Sequence, residues 1–255
     1  MKNNALGDRM KGYEQDGKLL NRIPVIIRID GKAFYTFCKR FERPYDSILN
    51  DKLNKVMKVL CSEIQGAKFG ERHSDEISIL VTDYDRINTD AYFDYNIQKI
   101  SSVTASIATA EFCKQLTLNA CFPYDKEYLN WEESWPNFDS RCFNIPENEI
   151  SNYFWWRHLD ATRNSIGMLA RSKFSHKELH NKNTDQMQEM LFSKFGINWN
   201  DFPQEMKSGF ICTREMHKLN NEKGEFTRKK WVIKPSPRTI DELRSEIESS
   251  LQKDV

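Results

Sequence analysis

The sequence predicts an α/β (α+β) fold, a sheet with flanking helices over roughly the first 145 residues and then a mainly helical second half. Two apolar, β-branched runs have strand length: Pro24-Val25-Ile26-Ile27, continuing into Arg28-Ile29-Asp30-Gly31, and Ile77-Ser78-Ile79-Leu80-Val81. Between them Leu49, Leu53, Val56, Met57, Leu60, Cys61 and Ile64 recur at spacings of three and four, the period of a helix that buries one face. Further on, helix starts and stops dominate. Ser175 with Glu178 and Thr239 with Glu242 fit capping boxes, and Gly196 fits a C-terminal stop.

Taken in order, the first strand ends at Gly31 and leads into a basic connection, Lys39-Arg40-Phe41-Glu42-Arg43-Pro44-Tyr45. Asp46 or Ser47 caps the striped helix, which Gly66 ends. Ala67-Lys68-Phe69-Gly70 reads as a short strand and Glu71-Arg72-His73-Ser74 as a tight turn into the strand that opens at Asp75. A crossover helix makes the first two strands parallel or neighbours of a common strand, and the hairpin makes the next pair antiparallel. This β-α-β-β order is half of a ferredoxin-like fold. A second helix is expected from Ala91 to Cys113, with Phe93, Ile97, Ile100, Ile107 and Phe112 near one stripe. A strand is expected over Phe138 to Ile145, ended by Pro146, and Glu147 onward returns to helix. The aromatic group Tyr153-Phe154-Trp155-Trp156-Arg157 reads as core. The division expected is a sheet domain over 1–145 with residues 146–255 packed on it.

A chain of 255 residues with 39% hydrophobic and 29% charged residues has the composition of a globular protein with a sizeable core. Its net charge of +1 neither points to nor excludes nucleic acid, since phosphate binding depends on local clusters. No run approaches the roughly 20 apolar residues of a membrane span, and the start of the chain lacks the apolar core of a secretion signal, so no membrane partner and a cytoplasmic location are expected. Cys38, Cys61, Cys113, Cys121, Cys142 and Cys212 form no C-x-x-C pair and read as free, mostly buried thiols. His176 and His180 have the spacing of a helix-borne metal pair, but no third ligand is indicated, so a solvated face is the reading.

Chemistry concentrates where the two apolar strands meet acids. If these strands are antiparallel neighbours, the end of the first lies beside the start of the second, and Asp30 meets Asp75 and Glu76 at one edge. Carboxylates so placed repel each other and lose solvation unless a cation joins them, which makes a hard metal such as Mg²⁺ the third party. That is the layout of a two-metal phosphoryl-transfer site. An Asp-Gly turn and surface salt bridges are the plain alternatives, but carboxylates hard against such apolar strands are costly unpaired. Gly31 allows close backbone approach, and Lys32 stands beside it. Lys39, Arg40 and Arg43 read equally as phosphate contacts or a solvated loop. Lys99 reads as solvated helix surface. In Arg228-Lys229-Lys230-Trp231-Val232-Ile233-Lys234 the mixture of cations and rings suits nucleic acid, and the alternation suits an amphipathic strand slightly better.

Together these motifs resemble the tRNA-histidine guanylyltransferase family, and more strongly its "like" branch of 3′–5′ RNA polymerases. The likeness rests on Leu6-Gly7-Asp8-Arg9-Met10-Lys11 with Tyr13-Glu14, Arg28-Ile29-Asp30-Gly31-Lys32-x-Phe34 and Arg43-Pro44-x-Asp46. It continues through Ile64-Gln65-Gly66-Ala67, Ser74-Asp75-Glu76-Ile77-Ser78, Phe138-Asp139-x-Arg141 and Tyr153-Phe154-x-Trp156-Arg157. The resemblance implies a palm-like catalytic domain like that of polymerases, acting at the 5′ end of RNA. It implies that Asp30, Gly31 and Asp75 hold two Mg²⁺ ions, with Glu76 completing the catalytic set. By the same resemblance Asp30, Gly31, Lys32, Ala33, Phe34 and Tyr35, with Ser74 and Asp75, touch the nucleoside triphosphate, and Arg43 and Lys99 contact its phosphates. Where the family has an arginine one turn before Lys99, this chain has Asn96. Contacts with tRNA are expected from Arg28, Asn164, Arg228, Lys229 and Lys230, and a homotetramer is the implied assembly.

The implied reaction uses ATP to adenylylate a tRNA 5′ end, which GTP or another nucleotide then attacks. Eukaryotic members carry a His-Ile-Asn-Asn-Leu-Tyr-Asn segment linked to tRNA-histidine; here Thr162-Arg163-Asn164-Ser165-Ile166-Gly167-Met168 keeps only its first Asn. That favours templated repair of tRNA 5′ ends over untemplated guanosine addition to tRNA-histidine. A palm-type nucleotide cyclase and an idle RNA-binding protein on the same scaffold are the rival readings.

Overall fold

The protein is described as a computed structural model covering residues 5–14, 17–118, 135–221 and 224–252. A short helix α1 (Ala5–Lys11) precedes strand β1 (Val25–Lys32), the one-turn helix α2 (Phe34–Phe37) and helix α3 (Ser47–Glu63). Asp46 is the N-cap of α3, its carboxylate accepting from the Leu49 amide at 2.8 Å. The striped residues Leu49, Leu53, Val56, Met57, Leu60 and Cys61 are all buried. Strands β2 (Ala67–His73) and β3 (Glu76–Val81) form a hairpin.

Helix α4 (Ile97–Leu118) starts later than its apolar stripe suggested. Phe93, Asp94 and Tyr95 have positive φ, and Asn96 caps the helix by accepting from the Lys99 amide at 2.8 Å. Strand β4 (Asn137–Asn144) follows, and a 3₁₀ turn at Glu147–Glu149 leads into the long helix α5 (Ile150–Arg171). Helices α6 (His176–Leu179), α7 (Thr184–Phe195) and α8 (Gln204–Ser208) lead to strands β5 (Phe210–Asn221) and β6 (Gly224–Pro235), and α9 (Ile240–Leu251) closes the described chain. Ser175 and Glu178 form the expected capping box, Thr239 accepts from the Glu242 amide, and Gly196 adopts the left-handed cap at φ 66°.

The six strands lie in the order β4-β1-β3-β2-β5-β6, every pairing antiparallel. β4-β1-β3-β2 with α3 and α4 as crossovers is the ferredoxin-like unit, and β1 and β2 share β3 as the crossover required. Side chains of one sheet face, among them Val25, Ile27, Ile29, Ile77 and Ile79, pack with α3 and α4. Those of the other, Ile26, Phe69, Leu80 and Ile211, pack with α5 and α9. A third cluster, including Leu169, Phe174, Leu179 and Leu191, joins α5 to α6 and α7.

Residues 146–255 are not helical throughout: β5 and β6 are the sheet's two longest strands. Only Phe210–Cys212 of β5 pair with β2, so the rest of β5 and β6 runs on as a two-stranded ribbon. Cys61, Cys142 and Cys212 are buried and no disulfide joins the five described cysteines, while Cys121 lies outside the described residues. His176 and His180 are exposed, and α6 ends before His180, so the pair does not share one helix. No described helix is long and apolar enough to cross a membrane.

Candidate active site

Strand register brings the acids together. Ile29 of β1 faces Ile77 of β3, which carries Asp30 and Gly31 to the level of Glu76 and the turn residue Asp75. Alternation along β1 sends Ile27 and Ile29 into the core and turns Arg28 and Asp30 to the α5 face. On the other side of β1 the register sets Asp139 opposite Asp30 and Arg141 opposite Arg28. The Arg141 guanidinium binds Asp139 at 2.7 Å, and the nearby Asp30 and Glu76 charges add to that bond in pushing its pKa up.

The turn carrying Asp75 is tighter than the sequence suggested. β2 runs through Glu71, Arg72 and His73, leaving only Ser74 and Asp75 between the strands. Those polar residues looked like a turn, yet all three are buried. The Arg72 guanidinium reaches back to the Ser74 carbonyl and is held by Asn54 and Asn50 of α3, each at 2.8 Å. Burial lowers its pKa to about 10, with Tyr45 and Asp75 working against that loss. Arg72 is therefore a strut under the turn that aims Asp75.

Burial pushes the Asp75 carboxyl up to about 6, hydrogen bonds from Ser74 and the turn backbone pull it down, and the charges of Asp30 and Glu76 raise it further. The Gly31 backbone lies so close that a Cβ there would stand 2.7 Å from Asp75 Oδ2 and 2.2 Å from the Phe34 ring. Gly31→Ala is therefore expected to lower stability by about 1–3 kcal/mol in denaturant unfolding and to weaken divalent-cation binding by calorimetry; unchanged binding would show that the close approach does not matter.

Among the described residues no cluster of three or more His, Cys, Asp and Glu side chains is placed to hold a metal. The donor set is the sparse one suited to Mg²⁺, which takes one or two carboxylates and leaves its other positions to water and phosphate oxygens. Burial first, and the Asp30 charge with it, raise the Asp75 carboxyl, a cost that a bound cation would offset. Asp30, Asp75 and the Gly31 carbonyl fit that role.

Glu76 is differently placed. Arg157 of α5 grips it with two bonds, at 2.6 and 2.8 Å, and also binds Asp160 at 3.0 Å. Side-chain exposure of the pair is only 12% and 15%, so Glu76 anchors α5 to the hairpin more than it offers a free ligand. The run from Tyr153 to Arg157 is thus only partly core: Tyr153 and Phe154 are buried, while Trp156 is 49% exposed.

Among the expected nucleotide contacts, Ala33 takes the left-handed conformation (φ 54°, ψ 31°) that turns β1 into α2. Phe34 packs against Phe37, Phe112 and Phe138, so only its backbone is available to a ligand. Tyr35 is exposed, with Lys39 Nζ and the Arg43 guanidinium each 5.6 Å from its ring centre, a cationic and aromatic platform just after β1 in the chain. Lys32 and Ser74 are exposed at the same sheet end.

Two groups of expected residues lie elsewhere in the chain. The C-terminal part of α4 meets that sheet end, Thr109 Oγ1 accepting from the Phe138 amide at 3.2 Å. Lys99 stands in the first turn of α4, about 15 Å back along the helix, over the Phe93 ring. Arg228, Lys229 and Lys230 sit on the ribbon, which leads away from the end that bears Asp75. Asn164 is exposed on α5 beyond Arg157. Sequence reasoning missed Arg72, the grip of Arg157 on Glu76 and the facing of Asp139 with Asp30. The last had a signal, since Asp139 and Arg141 alternate with the apolar Phe138 and Cys142.

A sequence profile of the tRNAHis guanylyltransferase family, Thg1, matches residues 7–146. A bacterial tRNA(His) guanylyltransferase (Thg1)-like protein solved in complex with ATP is 37% identical, with a TM-score of 0.84 over 98% of this chain and 100% of that one. One solved in complex with GTP is 36% identical, with a TM-score of 0.78 over 96% and 98%. The probable tRNA(His) guanylyltransferase of Dictyostelium discoideum is 28% identical over 246 residues, covering 90% of this chain and 91% of that one.

Proposed function

The chain belongs to the Thg1 family of tRNAHis guanylyltransferases and is a nucleotidyltransferase; from that premise we propose that it adds nucleotides in the 3′–5′ direction to the 5′ end of tRNA, repairing truncated ends against a template. The observation that carries the chemistry is the strand register that sets Asp30 and Gly31 level with Asp75 and Glu76, with the Gly31 backbone so close that a Cβ there would stand 2.7 Å from Asp75 Oδ2. The templated preference rests on Thr162–Met168, which lacks the eukaryotic histidine segment.

In this reading ATP and GTP are substrates, the two nucleotides with which the bacterial Thg1-like protein was solved. A 5′-phosphate oxygen of the RNA attacks the α-phosphorus of ATP and pyrophosphate leaves. The 3′-hydroxyl of the incoming nucleotide then attacks the adenylylated 5′ phosphorus, and AMP leaves. Mg²⁺, two ions held by Asp30, Asp75 and the Gly31 carbonyl, supplies charge neutralisation and a lowered hydroxyl pKa when bound. Arg72 and the Arg157–Glu76 pair keep those carboxylates in place, and Arg43, Lys39 and Tyr35 receive triphosphate and base. Lys99 is proposed as a triphosphate contact and a homotetramer as the assembly. Asn164 and the ribbon cations Arg228, Lys229 and Lys230 are proposed tRNA contacts, and the proposed location is cytoplasmic.

The test supplies the protein with Mg²⁺, ATP, GTP and a monophosphorylated tRNA lacking its first nucleotide, opposite either C or A. Extension opposite C and little opposite A is the expected result. Extension opposite both would move the reading to untemplated guanylylation, the activity for which the relatives are named. Cyclic nucleotide formed without RNA would replace both.

A further inference from the structure

The sheet face beside the carboxylates carries a second arrangement that the reaction as written does not use. Arg28 and Arg141 are directly opposite each other on β1 and β4, one strand repeat from the facing acids Asp30 and Asp139. Like charges at opposed positions of an antiparallel pair are unfavourable and call for a counter-ion. Arg141 bonds directly to one carboxylate, Asp139, feels the charges of Asp30 and Glu76, and is half exposed. Arg28 makes no ion pair or hydrogen bond through its guanidinium among the described residues. Its other neighbour across the ladder is Ser78, whose hydroxyl is taken by Tyr153 at 2.9 Å. Two arginines thus meet with one hydrogen-bonded carboxylate between them, Asp139, while Asp30 faces Asp139 one repeat away and Glu76 is gripped by Arg157.

Above them α5 offers a ring. Trp156 is 49% exposed, stands edge-on to Tyr153 at 6.0 Å and has the Arg157 guanidinium 4.5 Å from its ring centre. Tyr153, tied to Ser78 and packed on Phe143, fixes this turn of helix over β3, β1 and β4. A fixed, half-exposed indole beside an arginine is a stacking platform for a base. The opposed arginines, about 7 Å from the acids along the strand, suit a phosphate.

We propose that Arg28, Arg141 and Trp156 form the subsite for the 5′-terminal nucleotide of the RNA acceptor, the arginines holding its phosphate and Trp156 its base. The proposal rests on the reading of the protein as an RNA 5′-end nucleotidyltransferase and names where that end lies. A free nucleoside triphosphate shares this chemistry, and the experiment separates the two.

Equilibrium binding of the full-length protein, without ATP, would be measured for one tRNA carrying a 5′-monophosphate or a 5′-hydroxyl, and separately for ATP. Wild type is expected to prefer the phosphorylated end at least tenfold. Arg28→Gln with Arg141→Gln should remove that preference while leaving 5′-hydroxyl tRNA and ATP binding unchanged. Trp156→Ala should weaken both tRNAs, with Trp156→Phe restoring them, and should spare ATP. Melting curves close to wild type for the arginine variant, which relieves the like-charge pair but leaves Asp139 unpaired opposite Asp30, would exclude misfolding. ATP affinity falling while tRNA preference persists would assign the face to free nucleotide and overturn the proposal. A retained preference in the arginine variant would also overturn it. If wild type extends tRNA normally yet shows no phosphate preference, the subsite alone fails; if it neither extends nor binds tRNA, the functional reading fails with it.

Discussion

Asp75→Asn should abolish nucleotide transfer and at the same time stabilise the cation-free protein. Burial holds the Asp75 carboxyl near 6 instead of 3.8, with Asp30 and Glu76 adding to the shift. A carboxyl raised on folding favours the folded state fully below its unfolded pKa, and that advantage is lost as pH rises through the folded value. Above pH 6 the charged form therefore costs the fold about 3 kcal/mol, at 1.36 kcal/mol per unit. Asparagine removes the charge and retains most of the shape. The expected gain at pH 7.5 is about 1–3 kcal/mol, since the bonds Asp75 accepts from Ser74 and the turn are partly lost. The gain should shrink between pH 6 and 4. Mg²⁺ should raise the melting temperature of wild type at pH 7.5 and leave the variant unmoved. Wild-type turnover by Asp75→Asn would remove this carboxylate from the chemistry, and a lower melting temperature would mean that the turn requires its charge.

The second large effect is expected at Arg157. Arg157→Met strips Glu76 of both its bonds and leaves a mostly buried carboxylate beside Asp30 and Asp75. Breaking a buried pair from one side costs about 3–5 kcal/mol, and urea unfolding should show a loss of that order. Glu76→Gln alone should cost less, because Arg157 keeps Asp160. The double variant should recover most of the stability lost in Arg157→Met, a coupling of about 1–3 kcal/mol, yet transfer should stay at least tenfold down. Additive losses would mean that α5 and the hairpin are joined by packing alone.

The parts of this site that were legible in the sequence are those dictated by local period and strand pairing. Pro24–Gly31 and Ile77–Val81 announce themselves by composition, and their antiparallel pairing suffices to bring Asp30 to Asp75. Nothing local says that β4 lies on the other flank of β1, so the meeting of Asp139 with Asp30 depends on a register set over a hundred residues away. Arg72 was hidden for a different reason. A polar triplet, Glu71-Arg72-His73, obeys the pattern of a turn, and only its partners Asn50 and Asn54 on α3 let it lie buried in a strand. β5 escaped notice because its outer half pairs only with β6 and carries no buried apolar face to impose alternation. The start of α4 was masked by Phe93, whose place in the apolar stripe conceals a backbone at positive φ.

β1, which carries Arg28, Asp30 and Gly31, has no partner next to it in the chain. Its neighbours β3 and β4 each lie across a long connection, whereas α3 and the β2–β3 hairpin close locally. Closing long loops is slow and comes late in folding, so β1 is expected to slot between β3 and β4 after the local elements have formed. Until it does, Asp30 and Asp75 belong to separate parts of an open chain with no common cation to share. Divalent-ion affinity is then a property that appears only with the last long-range closure, which would make the bound ion a reporter of completed folding.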